Sequence, residues 1–296
     1  MKDILFTGSG VAIVTPFTEN NSAINFPVLE KLINFQIESG TDAIIICGTT
    51  GEGSTLSHEE HAEAIRFAVD TVNKRVPVIS GTGSNDTMYG LKLSNEAEKA
   101  GVDGLLMVTP YYNKTSQDGL IGHYNYIADR VSTPIIVYNV PSRTGLDIKP
   151  ETYFELAKHK RIVGIKEANG DFSAMVKTAA LCKDNITVYS GNDDHILGFM
   201  AHGAKGVISV LANVLPQVAH EIPSAYLRGD VEKAKQLQLE YLDMCNDLFV
   251  DVNPVPVKYA LNLMGKNVGE CRMPLGKMSD AAKAKLQATM KRHNLI

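Results

Sequence analysis

The chain has 296 residues, of which 44% are hydrophobic and 21% charged, and a formal net charge of −4. This is the composition of a globular chain with a large core, and its slight acidity excludes the basic footprint of a nucleic-acid or membrane-surface binder. No apolar run reaches the length of a membrane span, and the apolar part of MKDILFTGSG is too short for a signal peptide.

In chain order, GVAIVTP (10–16) reads as the first strand, and Asn25 caps a helix over FPVLEKLINFQIES that stops at Gly40. AIIICG (43–48) is the second strand. Ser57 and Glu60 then form a capping-box pattern before HEEHAEAIRFAVDTVN. VPVISG (76–81), GLLMVTP (104–110) and PIIVYNV (134–140) follow, and Pro150 takes the first position of the helix in KPETYFELAKHK. IVGIK (162–166), TVYSG (187–191) and GVISVLA (206–212) complete eight strands. Most are continuously apolar, as strands of a parallel sheet covered on both faces must be. Eight βα units without a composition break predict an α/β fold, a (β/α)8 TIM barrel over residues 1–225. An open doubly wound sheet is the alternative, but its phosphate signature is missing. Residues 226–296 read as a C-terminal helical region, with one helix across 230–249 and another across 279–293.

Nearly every strand runs into a polar or glycine-rich segment: GTTGEG (48–53), GTGSND (81–86), TPYYNK (109–114), YNVPSRTG (138–145), KEANGD (166–171) and SGNDD (190–194). In a barrel these ends converge on one mouth. Lys166 ends an apolar strand and is placed inside that mouth, where burial disfavours the ammonium and leaves an amine able to attack a ketone. The alternative, a lysine paired with Glu167, is weakened because adjacent strand residues face opposite ways. Tyr138, at the end of the preceding strand, is a candidate proton shuttle or else a solvated phenol. GTTGEG offers hydroxyls and backbone N–H groups suited to a small carboxylate, and Arg143 is either a carboxylate clamp or a solvated loop arginine.

Together GTTGEG, VTPYYNK, YNVPSRTG, GIKEANG, YSGNDD and NPVPVK (253–258) resemble the 4-hydroxy-tetrahydrodipicolinate synthase (dihydrodipicolinate synthase) family over essentially the whole chain. The resemblance implies a class I aldolase-type barrel that condenses pyruvate with L-aspartate 4-semialdehyde, the entry step to diaminopimelate and lysine. By position it implies that Lys166 forms the Schiff base and that Tyr138 donates and accepts protons. Thr49 and Tyr112 complete the proton relay, Tyr112 reaching in from a neighbouring subunit. Thr50 and Ile208 match the pyruvate pocket, and Arg143 matches the arginine near the semialdehyde carboxylate. The family implies a homotetramer and no metal or organic cofactor beyond the covalent pyruvate. It also implies a lysine-feedback site, matched here by His58, His61, Asn85 and Tyr111. Tyr89 replaces the expected acidic residue there, and Gly53 and Ser54 also depart, so inhibition by L-lysine is expected to be weak or absent.

Several motifs are set aside. HEEH (58–61) is not HExxH, and its carboxylates suit a helix N-terminus better than zinc. Asp193 and Asp194 open the helix after the seventh strand and read as caps, or as a pocket rim. Lys258 lies outside the strands and reads as structural or superficial. Cys47, Cys182, Cys245 and Cys271 have no ligand spacing and read as reduced thiols of a cytoplasmic protein, Cys47 being a small buried hydrophobe. Rival functions are N-acetylneuraminate lyase, a 2-keto-3-deoxy sugar acid aldolase and a non-catalytic barrel that binds a 2-oxo acid.

Overall fold

The eight apolar runs become eight parallel strands: β1 Gly8–Ala12, β2 Ala43–Ile46, β3 Val78–Gly81, β4 Gly104–Val108, β5 Ile135–Asn139, β6 Ile162–Glu167, β7 Thr187–Ser190 and β8 Gly206–Ser209. They pair in sequence order, and β8 pairs back with β1, so the sheet closes into a barrel with no free edge. The computed structural model describes residue 2 and residues 4–296.

Side chains alternate between two apolar layers. Ala12, Ile45, Ile79, Leu106, Ile136 and Ile208 fill the barrel interior, while Val11, Ile44, Ile46, Leu105 and Val137 pack outward against the helices. Both faces are buried, so the period-two geometry leaves no polar alternation in the sequence. The first strand begins two residues earlier than its apolar pattern suggests. Pairing with β8 starts at Gly8 opposite Gly206, and the run beyond Ala12 leaves the sheet.

The helix starts follow local chemistry. Asn25 accepts from the Val28 N–H at the head of helix Phe26–Glu38. Ser57 and Glu60 form a reciprocal capping box on helix His58–Val72, and Pro150 opens helix Pro150–Leu156. The expected single helix across 230–249 is instead two, Val231–Glu240 and Leu242–Asp247. The break falls at Tyr241, whose ring stacks on His293 with centroids 4.6 Å apart. The second half is thereby turned onto helix Asp280–Arg292, where Thr289 Oγ1 donates to Asp247 Oδ2 at 2.6 Å.

The C-terminal helices are tied to the loop after β2. Lys258 is 1% exposed, and its Nζ meets Glu52 Oε1 at 2.7 Å and the Glu270 carbonyl at 3.0 Å. Glu52 Oε2 accepts from the Arg272 N–H, and the Arg272 guanidinium grips both oxygens of Glu60 at 2.6 Å. Lys258 is therefore structural. Replacing Lys258 with Met leaves Glu52 buried without its cation and is expected to cost about 3–5 kcal/mol in urea unfolding. A loss below about 1 kcal/mol, the scale of an exposed pair, would show that the pair does not hold this loop.

Candidate active site

The site is set by the pairing of β5 with β6, which places Tyr138 opposite Lys166 and Asn139 opposite Glu167. Alternation sends the first pair into the barrel and the second outward. Inside, the Lys166 Nζ lies 4.3 Å from the centre of the Tyr138 ring. The lysine is 5% exposed, and burial lowers its amine to a pKa of about 8. Asp193 opposes that shift and Arg143 adds to it. Burial pushes the Tyr138 phenol up to about 12, against Arg143 and a hydrogen bond with Thr49. At neutral pH the pair is therefore a protonated phenol beside an amine closer to neutrality than a surface lysine.

Outside, the second pair locks the register. Asn139 Nδ2 donates to Glu167 Oε1 at 3.0 Å and to Asp147 Oδ1 at 2.8 Å. Glu167 also accepts from the Tyr153 hydroxyl at 2.8 Å and the Asn169 N–H at 2.9 Å. Glu167 is thus occupied on the outer face and does not pair with Lys166. Burial raises its carboxyl to a pKa of about 7. Cross-strand partners such as these leave no signal in a single sequence, beyond the Asn and Glu standing next to the inward pair.

Lys166, Tyr138, Thr49, Thr50 and Arg143 line one cavity of about 190 Å³ at the barrel mouth. Asn253 braces it from the C-terminal region: its Nδ2 donates to Thr50 Oγ1 at 2.9 Å, and its carbonyl accepts from Arg143 Nη2 at 3.2 Å. The asparagine opens NPVPVK, but nothing in that motif alone points to this contact. Ile208 packs in the interior layer with Tyr138 and does not reach the cavity wall. Tyr112 is 90% exposed and lies outside the cavity of its own chain.

A second cavity of about 440 Å³ shares Thr49, Tyr138 and Arg143 with the first and extends to His61, Tyr89 and Tyr111. Gly53 and Gly81 form its floor with Cys47. A Cβ on either glycine would come 2.3 or 2.4 Å from the Cys47 carbonyl, whose own residue sits at φ 56°. His58 and Asn85 are not on this wall. His58 Nε2 meets Glu96 at 2.8 Å, and the Asn85 carbonyl accepts from Asn113. His61 Nε2 bonds instead to the Gly81 carbonyl at 2.9 Å, so the two histidines of HEEH serve different partners.

Asp193 is neither a cap of its own helix nor on the rim. It is 3% exposed, and its Oδ2 accepts the Val210 and Leu211 N–H groups at 3.0 and 2.9 Å, capping the turn after β8. The pairing of β7 with β8 and the turn that follows β8 bring these N–H groups to it, which an Asp-Asp before a helix cannot announce. Among the described residues, no group of three or more His, Cys, Asp or Glu side chains is arranged to hold a metal ion, and no helix is long and apolar enough to cross a membrane. All four cysteines are free thiols.

Residues 5–293 match the model of the dihydrodipicolinate synthetase family. The chain is 50% identical to the 4-hydroxy-tetrahydrodipicolinate synthase of Acetivibrio thermocellus over 296 residues, all of both chains. It is 53% identical to that of Geobacter sulfurreducens, covering 99% of this chain and 100% of the other. Its structure resembles the dihydrodipicolinate synthase of Acinetobacter baumannii, solved in complex with pyruvate, with a TM-score of 0.95 and 41% identity over 98% of this chain and 99% of that one. The chain belongs to the dihydrodipicolinate synthetase family.

Glu167 also gives the fold a pH signature. A carboxyl raised from 4.5 to about 7 binds its proton more tightly in the folded state. Its stabilising contribution is therefore full at low pH and lost as pH rises through about 7, by roughly 3 kcal/mol. Glu167→Gln cannot titrate, so urea unfolding of the two proteins should diverge in the variant's favour between pH 4.5 and about 7. A difference that stays constant over this range would mean that the buried carboxyl titrates normally.

Proposed function

From this family membership we propose that the chain is a Schiff-base-forming lyase that condenses pyruvate with L-aspartate 4-semialdehyde to 4-hydroxy-tetrahydrodipicolinate, the entry step of diaminopimelate and lysine biosynthesis. The observation that carries the reading is the buried Lys166 amine, 4.3 Å from the Tyr138 ring and facing the mouth cavity. The neutral amine attacks C2 of pyruvate, and the carbonyl oxygen leaves as water, giving an iminium. Loss of a methyl proton makes the enamine, whose carbon adds to the semialdehyde carbonyl. The substrate's own amine then attacks C2, closes the ring and releases Lys166.

Tyr138 carries the protons, through Thr49 and the hydroxyl of Tyr112. Thr50 lines the pyruvate pocket, Ile208 packs with Tyr138 in the barrel interior beneath it, and Arg143 clamps the semialdehyde carboxylate. Tyr112 enters the site from a second copy of the chain. Its side chain is almost wholly exposed and its backbone sits at φ 69°, in the left-handed region that a tyrosine seldom adopts. The assembly is a homotetramer built as a dimer of dimers, working in the cytoplasm with no cofactor beyond the covalent pyruvate. Residues 1–225 form the catalytic barrel, and residues 226–296 brace its mouth. The names of the relatives favour this second substrate over those of N-acetylneuraminate lyase or a sugar acid aldolase.

Borohydride reduction with pyruvate, followed by mass mapping, should place a single adduct on Lys166, and an unmodified Lys166 would refute the Schiff base. Lys166→Ala should abolish turnover with the fold intact. Full activity in that variant would end the mechanism. With Tyr89 in place of a carboxylate, L-lysine should inhibit weakly, and half-inhibition at sub-millimolar lysine would contradict the assignment of a degenerate site.

A further inference from the structure

The turn after β7 holds a charge that the steps above do not use. β6 and β7 pair with Lys166 opposite Tyr189 and Glu167 opposite Ser190, and the Gly191 N–H donates to the Glu167 carbonyl at 2.7 Å. The turn is therefore stitched to β6 beside Lys166, two residues before Asp193. Gln238 Nε2 fixes the Asp193 carbonyl from below at 2.9 Å. The Asp193 carboxylate has one oxygen satisfied by the Val210 and Leu211 N–H groups. Its other oxygen, Oδ1, is buried and makes no direct hydrogen bond among the described residues, the Ser209 hydroxyl near the carboxylate favouring its charged form. No cation lies within ion-pair distance of it among those residues. A buried, half-satisfied carboxylate is costly unless a positive charge stands in its field.

The charged and titratable groups around this pair are few. Lys166 on β6 acts on it by charge, and the Cys245 thiol of helix Leu242–Asp247, pushed upward first by burial, is pushed further by Asp193. Asp194 and His195 lie in the same turn, 3.9 Å from each other. Arg143 acts on Lys166 from the opposite sign, and Tyr138 presents its ring to the amine. The coupling between Asp193 and Lys166 is reciprocal: each favours the charged form of the other.

We infer that Asp193 is a positioning residue for the reaction, the fixed counter-charge that stabilises the cation on Lys166 both as ammonium and as the iminium formed with a 2-oxo acid. The inference rests on the Schiff-base reading. Starting from the ammonium, the conversion is Lys–NH₃⁺ plus ketone to iminium plus water, with one positive charge on each side. Asp193 stabilises both sides alike, so its removal leaves this equilibrium unchanged. Starting from the neutral amine, the same product requires one added proton, and the charge is created next to Asp193. There its removal weakens iminium formation.

The test is the fraction of Lys166 trapped by cyanoborohydride at sub-saturating pyruvate, measured by mass across the pH range on either side of the amine's pKa. In the unaltered protein the trapped fraction should be flat at low pH and fall above about 8. Asp193→Asn, which keeps an oxygen for the two N–H groups, should leave the low-pH limb in place. It should move the break about one unit lower, with about tenfold less adduct above it. A purely structural role for Asp193 predicts a loss by the same factor at every pH, with the break unmoved. That result, or an unchanged profile, overturns the inference. Absence of adduct in the unaltered protein removes the Schiff-base reading itself and this inference with it. Asp193→Ser carries the same expectation and serves if the asparagine variant does not fold, with thermal unfolding as the check on both.

Discussion

The in-register pairing of the last two residues of β5 with those of β6 is the constraint on which the site depends. A one-residue slip of β6 against β5 would send Lys166 into the helical shell and bring Glu167 into the cavity, leaving Tyr138 without its partner. The hydrogen bonds from Asn139 to Glu167, and from Tyr153 to Glu167, are satisfied only in the observed register. The outer polar cluster and the inner reactive pair are thus two faces of one alignment. The barrel tolerates a buried carboxylate outside because it secures the geometry of a buried amine inside.

Around that alignment the molecule distributes buried charge unevenly. Lys258 and Glu52 neutralise each other at contact distance, in the manner of a structural pair. Lys166 and Asp193 remain apart, each shifted by burial and only partly restored by the other. Direct contact would fix the ammonium and remove the nucleophile, while complete isolation would leave no counter-charge for a cation formed there. An intermediate separation serves an amine that has to be neutral at one step and positive at the next.

The strands were legible because burial on both faces turns each into an unbroken apolar run, and the helix starts at Asn25, Ser57 and Pro150 were legible because capping chemistry is local. Lys166 stood out as a lysine at the end of such a run. What stayed hidden depends on distant parts of the chain. Asp193 looks like a helix cap until the pairing of β7 with β8 brings Val210 and Leu211 to it. Asn253 looks like a loop residue until it reaches Thr50, and Tyr241 breaks a helical period that continues through it in the sequence. The His58, His61, Asn85, Tyr89 and Tyr111 set was drawn as one group by resemblance. Within a single chain only His61, Tyr89 and Tyr111 share a wall; the His58 ring is held by Glu96, and Asn85 meets Asn113 through its backbone carbonyl.

The contact between Glu52 and Lys258 spans 206 residues, and that between Glu60 and Arg272 spans 212. These are among the last native contacts a chain can form as it is synthesised, since their C-terminal partners emerge after every strand of the barrel. Until then the GTTGEG loop carries a carboxylate with no cation, next to the threonines at the mouth. A growing chain can therefore close its barrel well before that loop takes its final shape. Competence would arrive with the last seventh of the polypeptide, roughly, and an incomplete chain would be folded in its sheet yet unfinished at its mouth.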